Sequence, residues 1–269
     1  HGTLVGDEVA TTVTEAARLV AEAGFVLDGI PGGEGSASGT EIVGACLCTQ
    51  AVRAARDASA FLDRLRMATG GRVPEILSPE REGYLAWLGS QSLLSPASTH
   101  RLVIDLGGGS TELIRMGPGG ACRVISHPVG AGSVDIVSRA AACDLWTRRY
   151  GVRRERDTGD DAAVVLGGTV TTLVAIRLSC AEYIPGMLHG YMVRVVDLAE
   201  HVRVLAQMPI LERCRVPGME PGREQLIVSG GWLLLGLCDA LGIERLIVSE
   251  RGIRFGRLQE LLQDDELLE

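Results

Sequence analysis

The chain has 269 residues, 46% of them hydrophobic and 22% charged, which suits one large or two ordinary globular domains with sizeable cores. Its net charge of −8 argues against nucleic acid or an anionic membrane surface as the partner. No run reaches the roughly eighteen apolar residues of a membrane helix, and aromatics are only 4%, so Leu, Val, Ile and Ala must build the core.

Helical periodicity runs over Gly2–Ala23 (Leu4, Val5, Val9, Val13, Ala16, Ala17, Val20), with Asp7 and Glu8 at its start and Gly24 as a stop. Phe25–Gly39 is glycine-rich and reads as a loop, and Thr40–Thr49 as a strand. A helix is expected over Ala51–Ala68 and a short strand over Val73–Leu77. Ser78 is an N-cap and Pro79 a first-turn residue for a helix over about Glu80–Ser92, followed by a polar link, Ser95–His100. The chain begins at His1 rather than Met, so the start reads as cut or incomplete, and no basic stretch followed by an apolar one suggests secretion. Seven scattered cysteines without zinc-ligand spacing read as the reduced thiols of a cytoplasmic protein, with Cys46-x-Cys48 in the core.

The stretch Leu102–Ile114 carries the strongest signal. A short β-branched strand ends at Asp105, bends through Gly107-Gly108-Gly109-Ser110-Thr111, and resumes as a strand with Glu112. Successive glycines bring bare backbone N–H groups against an anion. Ser110 and Thr111 add hydroxyls, and Asp105 and Glu112 supply the hard oxygens that magnesium takes beside phosphate.

Cys122–Ser126 is a further strand, closed by a loop through His127, Pro128 and Gly130, where a lone histidine reads as a loop residue. The basic run from Arg148 to Arg156 reads as a solvated loop, with a landing site for a polyanion as the alternative. The second strong signal is Val164–Leu173: a strand ends in Gly167-Gly168-Thr169 at the mouth of a helix, where amides and hydroxyls meet the positive helix end. His189 reads as packing before a helix over Val195–Leu205, and Arg213–Arg223 as a polar loop. Leu226–Leu233 is a strand or helix with small residues, Arg245–Ser249 a last strand, and Asp264–Glu269 an acidic tail.

The Asp-x-Gly-Gly-Gly-Ser-Thr-Glu wording at Asp105–Glu112 resembles the exopolyphosphatase/guanosine pentaphosphate phosphohydrolase family of the actin/sugar-kinase/Hsp70 superfamily. Further segments echo that family: Thr49–Asp57, Ser78–Tyr84, Pro128 with Gly130 and Ala131, Gly167–Leu173, His189-Gly190 and Ser249–Gly256, while Leu226–Leu233 resembles the superfamily's adenosine-side motif. The chain departs from the family pattern at Ala54, Tyr84 and Phe255.

The resemblance implies an α/β, ribonuclease-H-like fold with one complete domain (89–269) and the later part of a second (1–88). The family's opening strands, with their own phosphate turn, have no counterpart here, so this stretch alone is expected to be weak or inactive. It further implies release of terminal phosphate from polyphosphate or guanosine pentaphosphate, with Mg2+ as cofactor and a possible homodimer. Glu82 would activate water and Arg53 would neutralise charge. Asp105 and Glu112 would hold metal or orient water, and Gly107–Thr111 with Gly167–Thr169 would cradle phosphate. The rivals are a catalytically silent polyphosphate- or alarmone-binding regulator and an ATP-dependent small-molecule kinase of the same fold.

Overall fold

A computed structural model describes residues 45–68, 71, 73–94, 102–116, 122–154 and 162–266. The helix and loop expected over Gly2–Gly39, the first residues of the strand expected from Thr40, and the link Ser95–His100 lie outside them. Contacts divide the chain into two units, His1–Ser78 and Pro79–Glu269, so the whole helix that follows Ser78 goes with the second.

In the first unit, β1 (Leu47–Cys48) pairs in parallel with β2 (Glu75–Ile76). Parallel neighbours need a crossover, and two helices supply it, Gln50–Ala54 and Ala58–Ala68. One helix was expected here. The chain breaks it at Ala55, whose extended backbone (φ −75°, ψ 142°) turns its N–H onto the Val52 carbonyl. A new helix then starts, with the Asp57 carbonyl accepting from Phe61 N at 3.1 Å. Cys48, Val52 and Leu65 form a small core with Cys46, Phe61 and Leu62 against it. The Cys46-x-Cys48 pair is therefore part of a core, and all seven cysteines of the chain are free thiols.

The second unit opens with helix Pro79–Ser90, which carries Glu80 and Glu82 in its first turn, where carboxylates suit the helix dipole. A 3-10 turn, Gln91–Leu93, follows. Then come β3 (Leu102–Leu106), β4 (Thr111–Met116) and β5 (Cys122–His127). After helix Arg139–Asp144 and a π-helical turn, Leu145–Arg149, β6 (Ala162–Leu166) leads into helix Gly168–Arg177. Next are β7 (Met192–Arg194), helix Val195–Gln207 and helix Ile227–Leu241. β8 (Arg245–Val248) and helix Ile253–Glu266 complete the unit.

These strands form one six-stranded sheet in the order β5-β4-β3-β6-β8-β7. β3, β4 and β5 are antiparallel neighbours, whereas β3, β6 and β8 run parallel. Three antiparallel strands followed by the parallel β6 and β8, with β7 antiparallel at the edge, give the ribonuclease-H-like pattern that the resemblance implied. β6 is buried along its whole length, as a central parallel strand covered on both faces must be.

Alternation along the strands sorts side chains between two cores. Ile104, Leu106, Val165 and Val248 face one side, packed with Leu173, Leu198, Leu233 and Trp146 from the helices there. Val103, Ile114, Val164 and Ile247 face the other, under helices Pro79–Ser90 and Ile253–Glu266. The result is three layers, helix–sheet–helix. Leu226–Leu233, left between strand and helix by the sequence, belongs to the buried helix that ends at Gly242 in the left-handed conformation (φ 68°). Among the described residues no helix is long and apolar enough to cross a membrane.

Candidate active site

The site is built where the parallel strands end. Asp105 and Glu112 are directly opposed in the β3–β4 ladder, so their side chains leave the same face of the sheet. It is the face of Val103 and Ile114, two residues away on each strand, and helix Pro79–Ser90 covers it. Glu82, on the first turn of that helix, is buried and lies close enough to raise the pKa of both carboxyl groups. Burial pushes Asp105 up to about 6, with the Glu82 charge adding to it. Burial likewise pushes Glu112 up to about 7, and the charges of Glu82 and Asp105 push the same way. Against this, Ser126 Oγ donates to Glu112 Oε1 at 2.7 Å and Ser110 also bonds to it, both favouring the ionised form. Three carboxylates on three elements, a helix and two strands, thus stand close together.

The glycine turn sits at the end of the same ladder. Gly107 N donates to the Ser110 carbonyl at 3.0 Å, closing the bend, and Gly108 at its tip is open to solvent. A second loop braces it, with Ala131 N on Gly107 O at 3.0 Å and Gly132 N on Gly108 O at 2.8 Å. This bracing requires Gly130, because a Cβ there would stand 2.5 Å from Gly107 O. The hydroxyls of the turn are committed inward: Thr111 donates to the Val129 carbonyl at 2.6 Å, and Ser110 is buried beside Glu112.

Gly167 lies immediately beside this turn, since β3 and β6 are parallel neighbours with Asp105 opposite Leu166. Its φ of +106° and a would-be Cβ 2.2 Å from Leu106 O admit only glycine. Helix Gly168–Arg177 starts there with its amides facing outward from the strand ends. The two glycine bends predicted to converge are therefore adjacent at one rim of the sheet.

A cleft of about 780 Å³ opens at this rim and takes Asp105, Gly167 and Gly168 from the predicted set. Gly107–Thr111 stand next to it without lining it, and Thr169 is turned away, buried against Gly230. Thr171 and Thr172 line it instead. Arg53 belongs to the first unit, where its guanidinium donates to the Leu77 carbonyl. His127 closes β5 as a buried residue, edge-on to Trp146 and Tyr150 with ring centroids 5.5 and 5.1 Å away. His189 Nε2 lies 3.1 Å from Ser92 Oγ, consistent with packing. Arg148, Arg149, Arg153 and Arg154 are exposed, with Arg148 bridged to Asp144 at 3.3 Å.

The sequence reading missed the far wall of the cleft. Arg223, set down as part of a polar loop, lies directly over the Gly168 backbone: a Cβ on Gly168 would fall 2.0 Å from its Nη2. It is aimed by Glu220, whose carboxylate accepts from Nε at 3.0 Å. Glu250 accepts from Tyr183 Oη and from Leu188 N, the latter at 2.9 Å. Partial burial and Glu250 together push the Tyr183 phenol up to about 12. Arg254 is the second cation of the wall. The signal available for Arg223 was its place between Pro221-Gly222 and the start of a helix.

Among the described residues, no three His, Cys, Asp or Glu side chains form a ready-made metal cage. Opposed Asp105 and Glu112, both raised chiefly by burial and further by the Glu82 charge, still suit a hard divalent cation completed by substrate oxygens, since Mg2+ takes one or two carboxylates beside phosphates.

Comparison with known proteins places the chain among relatives. The chain is 30% identical over 212 residues to exopolyphosphatase 2 of Mycobacterium tuberculosis, a match covering 72% of this chain and 66% of that protein. It thus spans just under two thirds of the length of that curated relative. A solved Ppx/GppA family member from Aquifex aeolicus superposes with a TM-score of 0.69 at 27% identity, covering 96% of this chain and 81% of the other. An exopolyphosphatase structure from Cytophaga hutchinsonii shares the fold at 18% identity, with a TM-score of 0.73, 97% of this chain and 84% of the other. The sequence profile described as the Ppx/GppA phosphatase family matches residues 40–265, and the chain belongs to that family.

Proposed function

We propose that the protein releases terminal phosphate from inorganic polyphosphate by attack of water. The observation that carries this reading is the convergence of Glu82, Asp105 and Glu112 beside two glycine bends at one sheet rim. Glu82 accepts the proton of the attacking water. The Gly168 amide end of its helix and Arg223 face the phosphate oxygens, where fixed dipoles and a guanidinium stabilise spreading charge. Asp105 and Glu112 hold Mg2+, which when bound neutralises charge on the transferred group. Phosphoryl transfer asks little covalent chemistry of a protein, so positioning and electrostatics of this kind suffice. The test is phosphate release from polyphosphate with Mg2+. Glu82→Gln is expected to lower kcat by at least roughly 100-fold while leaving polyphosphate affinity within about twofold. Unchanged turnover removes Glu82 from the role.

Guanosine pentaphosphate is the second substrate, favoured by the cleft itself. A linear phosphate chain does not need about 780 Å³ of partly apolar space beyond the phosphate corner, whereas a nucleoside fills it. Tyr183 offers a flat ring and Met219 an adaptable apolar side chain there, and Glu220 and Glu250 offer acceptors for base N–H groups. Ala181 is an exposed lining residue, so Ala181→Trp narrows the cleft without touching the core. It should lower kcat/KM for guanosine pentaphosphate about tenfold or more and spare polyphosphate. Equal effects on both substrates reject the nucleoside assignment.

A further inference from the structure

We propose that Glu260 is a positioning residue for Glu82, an inference that rests on the reading of Glu82 as the water-activating base. Glu260 lies on helix Ile253–Glu266, whose first residues, Ile253 and Arg254, line the cleft. Its two oxygens accept from the two terminal nitrogens of Arg81, at 2.6 and 2.5 Å, in fork-to-fork geometry. Arg257 Nη1 reaches the same carboxylate at 3.1 Å. The group is shielded, with side-chain exposures of 33% for Arg81 and 15% for Glu260.

Arg81 immediately precedes Glu82 in the first turn of helix Pro79–Ser90. That turn has a reason to move. Its amides lack intrahelical acceptors, so helix ends fray. The body of the helix is held independently by glycine contacts. A Cβ on Gly256 would stand 2.0 Å from Leu85 O, and one on Gly89 would stand 2.3 Å from Gly252 O. These fix the crossing of the two helices but act at Leu85 and Gly89, beyond Glu82 along the helix. The bidentate Arg81–Glu260 pair reaches the first turn itself and resists rotation as well as translation, which a point contact does not. Arg257 holds the carboxylate from its own helix, so the fork is aimed before Arg81 meets it.

The experiment compares Glu260→Ala, Glu260→Gln, Arg81→Ala and the double variant Arg81→Ala/Glu260→Ala in steady-state phosphate release from polyphosphate with Mg2+. Circular dichroism melts are recorded on the same samples. Displacement of a base by a fraction of an ångström to one ångström predicts a kcat loss of roughly ten- to hundredfold for Glu260→Ala, with KM within about twofold. Arg81→Ala should match it, and the double variant should lose little more, because each change breaks the same link. Glu260→Gln keeps the shape and one acceptor, and should retain more turnover than Glu260→Ala. Unchanged kcat in folded Glu260→Ala and Glu260→Gln, or a kcat loss fully additive in the double variant, overturns the proposal. Glu82→Gln is assayed in parallel. If it is inactive while the Glu260 variants are normal, only the positioning role fails. If it is active, the base reading fails and the positioning role falls with it.

Discussion

At the residue scale, the two opposed carboxyls determine how the protein responds to pH. Asp105 and Glu112 bind protons more tightly in the folded chain than at their ordinary values of 3.8 and 4.5, near 6 and near 7 respectively. Between those limits the folded state holds more protons than the unfolded one, so stability falls as the pH rises through this window and is lowest above it. Glu112→Gln removes one of the two strained ionisations while leaving an acceptor for Ser126. In the absence of divalent cations this variant should be more stable than the parent at pH 8, by on the order of a few kcal/mol. The difference should fade toward pH 4.5, which thermal melts at the two pH values check. Added Mg2+ should narrow the gap at pH 8, since a cation relieves the same repulsion in the parent.

At the element scale, the sheet rim depends on a few backbone positions, and these were the most legible part of the sequence. Asp105–Glu112 could be read because strand, bend and strand are consecutive and the acids are spaced to fall opposite each other. Gly167 could be read because a buried strand stops there and a helix begins. Gly167→Ala combines a left-handed backbone with a clash onto Leu106 O, and should destabilise the fold by roughly 2–4 kcal/mol; a denaturant titration measures it. What local pattern could not supply was any contact closed by the fold. Arg223 meets Gly168 only because its loop returns to the rim of the sheet. Thr169, legible as a phosphate hydroxyl, is instead taken by the approach of Gly230. The break at Ala55 escaped notice because alanines on both sides favour a helix, and only the turn before Asp57 ends it.

At the scale of the whole molecule, the second unit has cores of its own. Among the described residues, the buried members of the two clusters that flank the six-stranded sheet come from Ala86 onward. Residues 79–269 expressed alone should therefore fold with a single cooperative transition, read by coincident near- and far-ultraviolet circular dichroism. Non-coincident transitions would show that the sheet needs more of the chain. Composition had placed the protein in the right broad class, a low-aromatic globular chain with net charge −8, but composition does not specify a sheet order. The ribonuclease-H-like fold became an expectation only through the resemblance carried by the glycine motifs, and the order β5-β4-β3-β6-β8-β7 comes from the structure.

The helix that carries Glu82 touches backbone or branched side chains at Gly83, which meets Val124 with a would-be Cβ at 2.5 Å, and at Gly89, while Gly256 approaches it from the opposite helix. Mutational tolerance along this stretch should consequently be discontinuous. A saturation library should be emptiest at 83, 89 and 256, where any side chain meets a neighbour, and fuller at exposed Leu258. In descendants of this sequence the interlocking contour stays frozen, and engineering of substrate preference is best confined to the opposite wall of the cleft.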